Sequence, residues 1–220
     1  MVLVFVAIAV SAAAASDSGG EDVDVRVPQG QPVVVDGVMD PDEWAGALVV
    51  EIREGASLHL KHAEGYLCVG LSTQEPVVAN VLIQTGSQVR VMHSSAALGT
   101  AMYEREEAVW RRTQDFVWRC RSRILTEAAL QQRQAFREEE GWLASITYMG
   151  EVNHLEYRIA DPAAIERLAL VLLPASHPDD LFTWPVDMNQ DIFPGPITAE
   201  SHMAPEQWPR LILEGSTPAT

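Results

Sequence analysis

Residues 33–47, Val-Val-Val-Asp-Gly-Val-Met-Asp-Pro-Asp-Glu-Trp-Ala-Gly-Ala, join a β-branched run to an Asp-Gly turn and then to an Asp-Pro-Asp-Glu-Trp helix start. Each residue type has a reason to be there. Asp36-Gly37 supplies a left-handed turn, Asp40 caps a helix, Pro41 fits the first helical position and Glu43 falls at the capping-box position. The pattern predicts a strand over 33–35 and a short helix from Pro41, with Trp44 directed back into the protein.

This opening is followed by Ser57-Leu58-His59-Leu60-Lys61-His62-Ala63-Glu64-Gly65-Tyr66-Leu67-Cys68-Val69-Gly70-Leu71. Together the two segments, about residues 33–72, resemble the start of the family-nine carbohydrate-binding modules and their DOMON-like relatives. In those domains an "IDG-x-x-D-x-x-x-W" opening leads through a strand and a turn into a "LYVG"-like strand, matched here by Tyr66 to Leu71. A later strand of the "EYRI" kind, Glu156-Tyr157-Arg158-Ile159, comes before a short helix matched by Asp161-Pro162-Ala163-Ala164-Ile165. The resemblance implies an all-β fold, an antiparallel β-sandwich of jelly-roll or immunoglobulin-like type. It says less about activity, because this sandwich hosts sugar binders, haem binders and domains without a known ligand.

The other strands follow from alternation between turn residues: 48–53, 56–62, 66–72, 79–85, 141–148, 152–159, 168–173 and 211–213. Alternation places Leu58 and Leu60 on one face, and Leu67, Val69 and Leu71 on one face of the next strand, with Tyr66, Cys68 and Gly70 opposite. From about 103 to 140 the sequence turns rich in Glu, Arg, Gln and Ala, with no proline and few glycines. This predicts a helical insertion on the sandwich, within which Phe116-Val117-Trp118-Arg119-Cys120-Arg121 alternates like a strand.

At 220 residues one domain is expected, over 25–214, with a flexible lead-in at 16–24 and a frayed tail at 215–220. The formal charge of -16 and pI near 4.6 argue against nucleic acid and against an anionic membrane surface; a neutral glycan meets no such objection. Residues 2–10 are apolar and lead to an Ala-x-Ala site at Ala13–Ala15, which reads as a signal peptide over residues 1–15, although no Lys or Arg comes before the run. The expected location is secreted or periplasmic, with no membrane insertion after cleavage. After export Cys68 and Cys120 meet oxidising conditions, which leaves open either one disulfide between them or two unpaired thiols.

The Gly-x-Ser-x-Gly, P-loop, Gly-x-Gly-x-x-Gly and His-Glu-x-x-His signatures are missing, so no catalytic residue is assigned and a non-catalytic role is expected. His59 and His62 lie three apart on a strand and face opposite sides, which disfavours a shared metal. Asp187, Asn189 and Asp191 place oxygen ligands at alternate positions, a weak calcium pattern that lacks the Gly and Glu of an EF-hand at Ile192 and Thr198. Met92-His93 and His202-Met203 bring haem-ligand types, yet neighbours on a strand cannot reach one iron from opposite sides, which disfavours haem.

Sugar capture rests on indole stacking with polar groups beside it. Of six tryptophans, Trp44, Trp142 and Trp208 read as packing residues. Trp110, Trp118 and Trp184 are the ligand-binding candidates, with Asp187 and Asn189 beside Trp184. The sequence thus predicts a secreted, non-catalytic binder of a glycan or related extracellular ligand. The alternatives are a cell-envelope interaction domain without a sugar site and a haem-binding electron-transfer domain.

Overall fold

The computed structural model describes residues 23–107, 109–121, 126–148, 152–177, 180–185, 200–201 and 203–215. Along the chain run β1 (Asp24–Val27), β2 (Leu48–Arg53), β3 (Ala56–Ala63), β4 (Tyr66–Thr73), β5 (Val77–Thr85), β6 (Gln88–Ser94), β7 (Leu98–Glu106) and β8 (Val109–Gln114). They are followed by α1 (Glu127–Glu140), β9 (Trp142–Thr147), β10 (Asn153–Ala160), β11 (Arg167–Pro174), β12 (Phe182–Trp184), β13 (Glu200–Ser201) and β14 (Arg210–Leu213). Two-residue turns make the tight hairpins. Ala63 pairs with Tyr66 around Glu64-Gly65, whose φ values of 49° and 78° are the left-handed pair such turns require.

Two sheets result. The larger has the order β1-β14-β11-β5-β6-β7-β8-β13, with β12 also on β11; the smaller has the order β2-β3-β4-β10-β9. The pairings are antiparallel except for β1 with β14, which run parallel. The chain is therefore the predicted all-β sandwich with a helical insertion. Between the sheets lie the predicted inward residues Leu58, Leu60, Leu67, Val69 and Leu71, facing Val81, Met92, Leu168 and Leu170 of the larger sheet. Polar tips of buried aromatics cross this core: Tyr157 donates to the Ala79 carbonyl at 2.9 Å, and Trp142 Nε1 donates to Thr100 Oγ1 at 2.9 Å. Each ring thus fills the core while its polar atom finds a partner on the opposite sheet.

The helix is shorter than composition suggested. Residues 103–106 continue β7 and 109–114 form β8, where Glu and Arg side chains stand on an exposed edge region that reads as helix when only residue types are counted. What remains is α1, started by Thr126, whose hydroxyl accepts from Ala129 N at 3.2 Å, and ended by Gly141 at φ 70°. Its buried Phe136 meets Trp142 edge-on at 5.0 Å, so the helix covers the β9 side of the inter-sheet core.

The opening motif forms no strand at 33–35. Val33 is instead buried with Trp44 and Cys68 on the outer face of the smaller sheet. The predicted helix is a single turn, with Trp44 N bonded to Asp40 O at 3.0 Å and Asp42 N to Asp40 Oδ1 at 2.8 Å. Gly70 lies beneath this lid: a Cβ there would come within 2.7 Å of Trp44 Cη2 and 2.6 Å of Met39 Cε. No cysteine pair forms, because Cys68 sits under this lid while Cys120 packs beside α1. The disulfide left open by the sequence is therefore not made.

Candidate ligand groove at Trp118

Residues 115–121 continue from β8 alongside β7 as an extended segment, held by two backbone bonds of 2.8 Å between Leu98 and Arg119. Alternation turns Phe116 and Trp118 to the same side, where their rings stack at 4.9 Å and 9°. His93 of β6 meets both rings edge-on, at 6.0 Å from Phe116 and 4.8 Å from Trp118. The imidazole is itself fixed by Asn80 Oδ1 and Ser95 Oγ, each at 2.9 Å. Burial holds the His93 pKa down to about 4, so the ring is neutral at ordinary pH.

Gly99, paired with His93 in the sheet, makes room for this platform: a Cβ there would lie 2.9 Å from Trp118 Cε3 and 3.1 Å from Phe116 Cδ1. Gly99→Ala is therefore expected to push the platform outward, shifting part of the tryptophan emission to the red and lowering stability by about 1–2 kcal/mol. Unchanged emission with unchanged stability would show that the platform does not rest on this glycine.

Stacking on Phe116 takes one indole face, and Trp118 still remains 40 % exposed. It lines a cavity of about 330 Å³ together with Arg119, Cys120, Arg121, Gln132 and Ala135. Cys120 adopts φ 54°, unusual for a residue with a side chain, and there the chain turns towards α1. Cys120 also lines an adjoining cavity of about 240 Å³ whose polar wall comprises Asp36, Ser95, Arg133, Ser145, Thr147 and Tyr148. Arg133 is held in place by donating to the Ala144 carbonyl at 2.7 Å. The two cavities share Cys120 in their linings and make up the candidate groove, with an indole in one and hydroxyl, carboxylate and guanidinium groups in the other.

The opening motif supplies one wall of this groove. Gly37, at φ 92°, sits so close to β9 that a Cβ would come within 2.6 Å of Thr147 Oγ1 and 3.0 Å of the Ile146 carbonyl carbon. The buried Glu156 carboxylate fixes the turn from below. One oxygen accepts from Trp44 Nε1 at 2.9 Å; the other accepts from Gly37 N at 2.8 Å and Asp36 N at 3.2 Å. Beside it, the fully buried Lys61 donates to the Glu43 carbonyl and lies 5.3 Å from the Trp44 ring.

Trp110 and Trp184, the other indole candidates, are 2 % and 7 % exposed. Trp110 packs with Tyr103, Met203 and Trp208 against the outer face of the larger sheet, and Trp184 lies in the inter-sheet core. Neither presents an indole face to solvent, because β8 and β12 turn both into packed faces of the larger sheet. Asp187, Asn189 and Asp191 lie outside the described residues, as do residues 1–15 and His202. His59 contacts Ser57 Oγ at 3.0 Å and His62 the Glu214 carbonyl at 2.8 Å, so the two histidines part as strand geometry requires. Met92 is buried between the sheets while His93 stands on the outer face, so this pair cannot clamp a haem.

The fold and this groove define a β-sandwich with an aromatic platform beside a polar cleft. No family model matches the sequence, and no curated protein matches it. Among solved structures, the chain is similar to the crystal structure of a "putative carbohydrate-binding protein" from Bacteroides uniformis, at 10 % identity and a TM-score of 0.47. The alignment covers 88 % of this chain and 100 % of that one. So distant a likeness carries no argument about ligand. Among the described residues no helix is long and apolar enough to cross a membrane, and no group of three or more His, Cys, Asp or Glu side chains is placed to hold a metal ion.

Proposed function

We propose that this chain is an exported, non-catalytic domain that captures a glycan in the groove at Trp118. The observation that carries the reading is the exposed indole fixed on a platform of Phe116, His93 and Gly99, in a cavity that shares Cys120 with a more polar one. A sugar ring offers apolar C–H surface to such an indole, and its hydroxyls exchange hydrogen bonds with groups like Asp36, Ser145, Arg133 and Tyr148. The stack supplies affinity; the polar wall supplies orientation.

Trp118→Ala is expected to weaken glycan affinity tenfold or more, corresponding to about 1.4–3 kcal/mol of lost stacking and burial, while the far-UV spectrum stays native. Isothermal titration of both proteins with the same oligosaccharide checks this, and equal affinities would move the site away from Trp118. A second reading, an interaction domain of the cell envelope, draws on the burial of the other five tryptophans. It predicts a flat response to every sugar.

A further inference from the structure

The charge around the groove runs against the charge of the whole chain. The sequence has 15 Lys and Arg against 31 Asp and Glu, yet Arg119, Arg121 and Arg133 all line the two cavities that meet at Cys120. Among the described residues, Asp36 is the only carboxylate lining either cavity. Arg119 is already committed, paired with Glu139 at 2.6 Å and lying 5.3 Å from the Phe136 ring. Arg133 uses one amino group on the Ala144 carbonyl and keeps further donors for the cavity. Arg121 is exposed beside Trp118 and makes no ion pair or hydrogen bond among the described residues.

An indole with an uncommitted guanidinium beside it suits a sugar that carries negative charge. The guanidinium fork binds carboxylate or sulfate through paired donors, and such charge-assisted bonds are about twice as strong as neutral ones. The acidity of the rest of the chain does not outweigh this, because charges farther than about 8 Å are screened at physiological ionic strength while contact pairs are not. We propose that the groove takes an anionic glycan, whose ring stacks on Trp118 and whose carboxylate or sulfate is held by Arg121, with Arg133 taking a second polar group.

The inference rests on the glycan reading of the same groove, and its test separates the two. The full chain is titrated calorimetrically with oligogalacturonate, with its fully methyl-esterified neutral form, and with a sulfated galactan oligosaccharide. The expected result is that at least one acidic probe binds about tenfold more tightly than the neutral ester. Arg121→Gln should bring that preference below about threefold, with the loss falling chiefly on the acidic probes, and Arg133→Gln should weaken acidic and neutral probes together. Which acidic probe wins distinguishes carboxylate from sulfate. Equal or tighter binding of the neutral ester, lost in Trp118→Ala, overturns the anionic preference and leaves the glycan reading standing. A preference for the acidic probes that survives in Arg121→Gln also overturns the assignment. Absence of saturable binding to all three probes overturns this inference, and the glycan reading falls with it if neutral glucan and xylan oligosaccharides also fail to bind.

Discussion

Replacing Glu156 with alanine is expected to lower stability by about 3–5 kcal/mol, the range for breaking a buried charged network by removing one partner. The carboxylate is fully buried and accepts from three N–H groups, those of Trp44, Gly37 and Asp36, of which Asp36 N also bonds the Val34 carbonyl at 3.0 Å. Buried Lys61 loses a neighbouring negative charge as well. Burial pushes the Glu156 pKa up, and the bonds from Trp44 and Gly37 pull against it. Because the net shift is upward, its contribution is fully present below the ordinary carboxylate pKa and is lost as pH rises through the folded value. Glu156→Gln should therefore remove that pH dependence while keeping an acceptor for Trp44, and should cost less than the alanine variant. Urea unfolding measures both. The effect should also reach the groove, since Asp36 and the turn against Thr147 depend on the same carboxylate. A loss under 1 kcal/mol for Glu156→Ala would show that the motif is held by its own turn alone.

Acid should weaken the fold through His93. Its folded pKa lies near 4 against an ordinary 6.5, so between those values the unfolded chain binds a proton that the folded chain refuses. Stability is full above pH 6.5 and falls as pH drops towards 4. Two and a half units correspond to about 3 kcal/mol at most. Comparing urea midpoints at pH 7 and pH 4 for the wild type and His93→Gln checks this, since the variant should lose markedly less between the two conditions. Equal losses would place the acid sensitivity elsewhere. Because His93 lies under Phe116 and Trp118, the same titration should loosen the platform and weaken ligand capture on the acid side.

The strands were legible where one face is buried. Leu58 with Leu60, and Leu67 with Val69 and Leu71, announce both period and inward side, and these residues do line the inter-sheet core. Val33–Val35 misled because a β-branched run records burial as readily as strand; here one valine is buried under Trp44 and the backbone joins no neighbouring strand. Residues 103–114 misled in the opposite sense, since exposed strands near a sheet edge carry the same Glu and Arg as a solvated helix.

The groove was less legible than the fold. Alternation in 116–121 is enough to bring Phe116 and Trp118 together, but nothing local distinguishes an exposed indole from buried ones such as Trp110 and Trp184. The polar wall assembles residues from distant positions, Asp36, Ser95, Arg133 and Tyr148, that meet only when the sheets pack. Glu156 was hidden for a related reason. One acidic residue alternating with Tyr157 looks like an ordinary solvated strand position until the Trp44 lid closes over it. A usable signal was the pairing of Glu156 with Gly70, since a glycine on the same outward face marks the close approach of something above it.

The central claim is that Trp118 captures a glycan, and intrinsic tryptophan fluorescence tests it most directly because the other five indoles are buried. The wild-type chain and Trp118→Phe are titrated with a panel of neutral and acidic oligosaccharides. The account predicts a saturable spectral shift with at least one sugar in the wild type and none with that sugar in the variant. A flat response across the panel, or a shift that persists in Trp118→Phe, would contradict it.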